Sequence, residues 1–158
     1  MDTIASFTVD HLRLLPGVYV SRIDRIGTEA VTTFDIRMTA PNREPVINTA
    51  EIHAIEHIGA VYLRNRSDVA DSVIYFGPMG CRTGFYLLMA GERTSESITA
   101  LLHDLFSHIA AYEGDIPGAT PAGCGNCLDM NLPMARWHAK RFLSVLNSIT
   151  AERLHYPQ

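Results

Sequence analysis

The order of apolar and polar positions changes period several times along the chain. Residues 31–38 alternate strictly, with Phe34, Ile36 and Met38 pointing one way and Thr33, Asp35 and Arg37 the other. That period of two predicts a half-buried strand. Val18 to Ile26 is β-branched and aromatic with arginine and aspartate interleaved, and Gly27-Thr28-Glu29 reads as the connection of a hairpin. Ala40-Pro41-Asn42-Arg43-Glu44-Pro45 breaks the pattern. From about Ala50 to Arg64, Ile52, Ile55, Ile58, Val61 and Tyr62 are spread over much of the circumference of a helix. Asn48, with Glu51 three residues later, has the spacing of a capping box at its start. A helix this apolar buries its polar residues at a cost, so those it keeps point to a task.

Val73 to Phe76 predicts a short strand and Phe85 to Ala90 another. Between them, Gly77-Pro78-Met79-Gly80-Cys81-Arg82-Thr83-Gly84 describes a tight loop with close backbone approach. Thr94 or Ser95 is placed to cap a second helix, with Ile98, Leu101, Leu102, Leu105 and Ile109 at core spacing. A Gly/Pro-rich loop from about Gly114 to Asn131 follows, and Pro133 starts a last helix through Trp137, Phe142 and Leu146. No repeat, low-complexity tract or linker divides residues 1–158. Hairpins mixed with helices, without regular βαβ units, predict one α+β domain with a mainly antiparallel sheet.

Composition narrows the function classes. The 158 residues are 47% hydrophobic, enough to build a core without disulfides. Thirteen scattered basic residues against seventeen acidic ones give a net charge of −4, which disfavours nucleic acid as a partner. No apolar run approaches the roughly 18–20 residues that span a bilayer, so no membrane role is expected. Met1-Asp2-Thr3-Ile4-Ala5 lacks the basic start and apolar stretch of a signal peptide. Three cysteines, Cys81, Cys124 and Cys127, make a poor disulfide framework. Together these features predict a cytoplasmic chain whose thiols are free, metal-bound or catalytic.

The strongest chemical signal is His53-Ala54-Ile55-Glu56-His57 on the first helix. Residues four apart share a helical face, so both imidazoles can reach one ion while Glu56 stands beside it as acid or base. The spacing is that of the inverted zinc-peptidase motif, and chance places it in roughly one or two of a hundred chains of this composition. A catalytic ion needs a third protein ligand and an open position. Cys124-Gly125-Asn126-Cys127 lies on the loop that could fold back over the helix. Ligation by both cysteines makes a closed, structural Cys₂His₂ site; ligation by one makes an open His₂Cys site. Spacing does not choose between them. A redox role for the Cys-x-x-Cys pair lacks the usual helix start after a strand. Cys81 is either a small buried hydrophobe or a reactive thiol favoured by loop amides and a nearby cation. Its glycines are not a P-loop, because the lysine and following hydroxyl residue are absent.

With these pieces in place, the chain resembles the S-ribosylhomocysteine lyase (LuxS, autoinducer-2 synthase) family over nearly its whole length. The resemblance rests on Ser6-Phe-Thr-Val-Asp-His11, Phe34-Asp-Ile-Arg37, Ala40-Pro-Asn42, His53-Ala-Ile-Glu-His57, Gly77-Pro-Met-Gly-Cys-Arg-Thr-Gly-Phe-Tyr86 and Cys124-Gly125. It implies an α/β sandwich working as a homodimer with active sites at the interface. It implies one Fe²⁺ per subunit, replaceable by Zn²⁺ or Co²⁺, on His53, His57 and Cys124, with no family counterpart for Cys127. The implied reaction cleaves the thioether of S-ribosylhomocysteine to homocysteine and 4,5-dihydroxy-2,3-pentanedione, the autoinducer-2 precursor. Cys81 and Glu56 map onto its acid/base groups, and Ser6, His11, Arg37 and Arg64 onto positions lining the substrate.

One stretch departs from the family pattern. The stretch before the Cys81 loop usually reads Ile-Asp-Ile-Ser, whereas here it reads Ile74-Tyr75-Phe76-Gly77. Tyr75 thus stands where the resemblance places an aspartate at the homocysteine end of the substrate. A phenol can donate to a carboxylate but cannot pair ionically with an ammonium near neutrality. Two rival readings remain beside the lyase: an inverted-motif metallopeptidase, and a non-enzymatic binding module held by a closed metal site.

Overall fold

Four strands and three helices form two layers in a computed structural model that describes residues 8–157. Strands β1 (Gly17–Ile26) and β2 (Glu29–Arg37) make the expected hairpin. Strands β3 (Val73–Pro78) and β4 (Gly84–Ala90) flank the Cys81 loop. The four strands pair antiparallel in the order β1-β2-β4-β3. Helices α1 (Thr49–Arg64), α2 (Thr99–Ala111) and α3 (Leu132–Asn147) pack together on one face of the sheet, with α1 against β3. Phe34, Ile36, Phe85 and Leu87 of the sheet meet Ile52, Ile55, Ile58, Leu102, Phe106 and Phe142 of the helices in one continuous core. The α+β class with an antiparallel sheet is therefore as the sequence predicts.

Two local expectations are revised. Strand β2 is buried on both faces over most of its length, because Thr33, Asp35 and Arg37 are as covered as Phe34 and Ile36. The chain after α3 supplies part of that cover, since Tyr156 stacks on Tyr19 of β1 with ring centroids 4.8 Å apart and reaches Asp35. The helical stripe is also narrower than expected: Val61 and Trp137 are exposed while Phe142 and Leu146 are buried. A 3₁₀ turn at Glu96–Ile98 precedes α2, so the helix proper starts at Thr99, beyond the proposed Thr94 or Ser95 cap. Asn131 caps α3, its side-chain oxygen accepting from the Met134 amide at 3.1 Å with Pro133 in the first turn.

The start of α1 is fixed by more than its own cap. Glu51 accepts the Asn48 backbone amide at 3.1 Å, as the spacing predicts, and its carboxylate also meets His138 Nε2 of α3 at 2.8 Å. Both side chains are nearly buried. Burial alone would raise the Glu51 pKa, but the hydrogen bonds from Asn48 and His138 outweigh it and hold the group below its ordinary 4.5. A carboxylate with a depressed folded pKa stabilises above its unfolded value and loses that contribution as pH falls through the folded one. Glu51→Gln is accordingly expected to lower the urea midpoint at pH 7, with the difference from wild type shrinking progressively below about pH 4.5.

Candidate active site and metal centre

The helix places His53 and His57 on one face, their rings 4.7 Å apart and nearly perpendicular. The loop between α2 and α3 then wraps over them. His53 Nδ1 bonds the Asp129 carbonyl at 3.0 Å and His57 Nδ1 bonds the Pro117 carbonyl at 2.7 Å. A carbonyl can only accept, so each Nδ1 carries a proton, which leaves Nε2 as the nitrogen free to ligate a metal ion. Cys124 Sγ stands 3.4 Å from His53 Nε2. One ligand atom each from His53, His57 and Cys124 falls within 4.8 Å of the others. Carbonyl-oriented imidazoles beside a thiol are a donor set that could hold a metal ion.

Loop geometry makes this possible. The Gly123 and Cys124 amides both turn back onto the Thr120 carbonyl, at 3.0 and 2.9 Å, and the Asn126 amide approaches Cys124 Sγ at 3.4 Å. Gly118, next to the carbonyl that holds His57, has φ +70°, a conformation that favours glycine. Among the described residues Cys127 is not in the cluster, and the third donor is a thiol, not a carboxylate. Neither the closed Cys₂His₂ module nor the carboxylate-ligated peptidase has its donor set here. Glu56 lies on the same helix between the two histidines and is partly exposed.

A second group of reactive side chains gathers elsewhere. Cys81, His11, Arg37, Asp35, Tyr86 and Tyr156 line a cavity of about 240 Å³. Arg37 is nearly fully buried and donates from Nε to Asp35 Oδ1 at 3.1 Å and from Nη2 to Asp35 Oδ2. Its remaining Nη1 reaches Thr83 Oγ1 at 2.6 Å and Cys81 Sγ at 3.9 Å, while Thr83 Oγ1 and Cys81 Sγ are 3.1 Å apart. Burial works against the Arg37 charge, but Asp35, helped by Cys81, more than offsets it, and the guanidinium pKa is raised. Tyr86 and Tyr156 are both pushed up, by burial first and by Asp35 second, so both stay protonated near neutrality. Cys81 itself is exposed, at the tip of a loop tied by Met79 and Ile47 amides to the Gly84 and Arg82 carbonyls. A Cβ on Gly84 would run into the Ile36 carbonyl, so glycine is what lets β4 close against β2 and set the loop.

The two groups share no residue. Asp35 and Arg37 point away from the helices, because Phe34 and Ile36, their alternating neighbours, point into the helix-side core. His53, His57 and Cys124 belong to the helix layer. Of the other sequence-derived candidates, His11 lines the Cys81 cavity with its Nδ1 on the Val9 carbonyl at 2.8 Å. Arg64 is exposed at the end of α1, donating to the Ile74 carbonyl at 2.7 Å, and joins neither group. Ser6 lies outside the described residues. Tyr75 is half exposed on β3, and its ring fills the space a side chain at Gly77 would take. Glycine at 77 thus makes room for the Tyr75 ring. Sequence reasoning did not single out Thr83, Tyr86 or Tyr156, nor the Pro117 and Asp129 carbonyls. Asp35 was visible only as the neighbour of Arg37 on the same strand face.

The S-ribosylhomocysteinase (LuxS) family model matches residues 4–153. A protein of Clostridium acetobutylicum named S-ribosylhomocysteine lyase is 57% identical over 158 residues, covering all of both chains. Proteins of the same name from Clostridium beijerinckii and Finegoldia magna are 59% and 56% identical, covering 99% and 100% of both chains.

The donor set makes a prediction that separates the two neighbouring cysteines. Cys124→Ser is expected to lose stoichiometric metal, whereas Cys127→Ser should retain it, as read by elemental analysis after gel filtration.

Proposed function

The chain belongs to the S-ribosylhomocysteinase (LuxS) family, and on that footing we propose that it cleaves the thioether of S-ribosylhomocysteine, releasing homocysteine and 4,5-dihydroxy-2,3-pentanedione. The observation that carries this reading is the His53, His57 and Cys124 donor set, with both Nδ1 atoms committed to backbone carbonyls. Three protein donors of mixed nitrogen and sulfur suit a borderline divalent ion and leave a coordination position for substrate. We assign Fe²⁺ as that ion, with Zn²⁺ or Co²⁺ able to substitute. When bound, it supplies Lewis acidity toward carbonyl and hydroxyl oxygens of the sugar.

The thioether carbon is neither acidic nor hydrolysable in the starting sugar, so the carbonyl has to migrate from C1 through C2 to C3. Each migration removes a proton α to the carbonyl and returns one to the neighbouring carbon. With the carbonyl at C3, removal of the C4 proton expels homocysteine thiolate from C5 by β-elimination, and the resulting enol takes a proton at C5. These transfers need two groups on opposite sides of the sugar. We assign them to Cys81, acting as thiolate beside Arg37 and Thr83, and to Glu56, beside the metal ligands. Arg37 and His11 orient hydroxyls, with Ser6 and Arg64 as further substrate contacts. Tyr75 offers the amino-acid half a hydroxyl donor in place of a carboxylate. The chemistry requires reduced thiols at Cys81 and Cys124, which supports a cytoplasmic setting.

Cys81 and Glu56 must meet on one substrate, yet in a single chain they stand in different layers. A homodimer resolves this if the metal centre of one subunit faces the Cys81 cavity of the other. Thiol release from S-ribosylhomocysteine by anaerobic, iron-loaded protein tests the reaction. Cys81→Ala should keep its metal and lose at least ~100-fold in turnover; no release by iron-loaded wild type would overturn the lyase. Mixing inactive Cys81→Ala with inactive His57→Ala subunits tests the shared site. Half the re-formed dimers would be mixed, each with one intact site, restoring about a quarter of wild-type activity. No recovery in verified mixed dimers would place both groups in one subunit.

A further inference from the structure

The segment after α3 is packed down at several points. Arg153 Nη1 donates to the Pro16 carbonyl at 2.6 Å, and Tyr156 lies flat on Tyr19, the two ring planes 9° apart. Tyr19 is fully buried and donates its own hydroxyl to the Leu15 carbonyl at 2.8 Å. Burial, with Asp35 second, pushes the Tyr19 pKa up to about 12, so it remains a neutral platform. With its ring fixed in this way, the Tyr156 hydroxyl donates to Asp35 Oδ2 at 2.9 Å. Asp35 in turn engages Nε and Nη2 of Arg37 as a two-pronged acceptor. A guanidinium held through those two nitrogens has its plane defined, and its third nitrogen has one direction left. That direction is toward Thr83 Oγ1 and Cys81 Sγ.

We propose that Asp35 and Tyr156 are positioning residues for the lyase reaction, aiming the Arg37 guanidinium at the Cys81 sulfur, and that the chain's last turn is therefore part of the active site. The inference rests on the assignment of Cys81 as an acid/base group. Tyr156 also adds its hydroxyl hydrogen to Asp35 and so draws off negative charge that would otherwise oppose a thiolate across the same cavity. The charged and titratable groups around that sulfur are Asp35 and Arg37 from β2, Tyr86 from β4, His11 from the amino-terminal segment, Arg82 in the same loop and Tyr156. None of them is a metal ligand.

Tyr156→Phe keeps the stacked ring and removes only the hydroxyl. In the metal-loaded protein it is expected to lower kcat about tenfold with KM changed less than about twofold. Alkylation of Cys81 by iodoacetamide, resolved from Cys124 and Cys127 by peptide mass, should slow several-fold at pH 7, with the midpoint of its pH profile moved upward. Tyr19→Phe is the structural control, because it removes a hydroxyl from the other ring of the stack while keeping both rings and the Tyr156–Asp35 bond, and should leave the Cys81 profile at its wild-type position. A Tyr156→Phe profile identical to wild type would overturn the proposal, as would equal shifts in both variants. Should Tyr156→Phe fail to fold, Tyr156→Met covers Tyr19 with an apolar side chain that carries no hydrogen-bond donor, and the same criteria apply. The alkylation readout needs no substrate, so a wrong substrate assignment would show as absent turnover with the Cys81 shift intact.

Discussion

The buried pair of Asp35 and Arg37 on strand β2 is the constraint around which the rest of the site is arranged. Two charges removed from water stay there only if each finds full compensation, and deleting one partner of such a pair costs about 3–5 kcal/mol. Strand β2 lies between β1 and β4, so its ladder hydrogen bonds are used on both edges. On the helix side it contributes Phe34 and Ile36 to the core; on the other it must satisfy a carboxylate and a guanidinium. Two of the groups that cover that second face bond the pair directly: Thr83 from the Cys81 loop meets Arg37, and Tyr156, stacked on Tyr19, meets Asp35. The compensation that makes the pair tolerable also builds the cavity in which Cys81 sits.

The candidate metal centre obeys a different logic. Helix α1 brings two imidazoles to one face by periodicity alone, but a helix cannot decide which nitrogen of each ring carries the proton. That decision falls to the loop between α2 and α3, whose two ends present the Pro117 and Asp129 carbonyls while its middle supplies Cys124. The cap at Glu51, tied to α3 through His138, fixes the start of the same helix and so its relation to the loop. Rigid helix and irregular loop are held at several points, which is how a stretch without helix or strand can hold a ligand in place.

Much of this was legible in the sequence, for physical reasons that differ by element. The strands and helices follow from period changes and from Gly and Pro punctuation, and the histidine pair follows from spacing. The half-buried reading of β2 failed because alternation reports polarity, and a polar face can still be buried when its charges are paired within the fold. Tyr156 gave no local signal, because its partner Asp35 lies 121 residues away. Thr83 looked like a loop residue, and only the register of β2 against β4 brings it beside Arg37. The Pro117 and Asp129 carbonyls were invisible on principle, since every residue carries the same backbone acceptor.

That last feature has a consequence for how the metal loop can vary. Its orienting atoms belong to the main chain, so replacing the side chains at 117 or 129 leaves the acceptors in place. What the centre does require is that two carbonyls and one sulfur arrive at fixed intervals along the loop, with Gly118 permitting the turn beside the first. Apart from Gly118 and Cys124, the segment from 117 to 129 is therefore tolerant of composition and intolerant of length. A single inserted or deleted residue there would throw the carbonyls and the thiol out of step, a disturbance that no compensating side chain could repair.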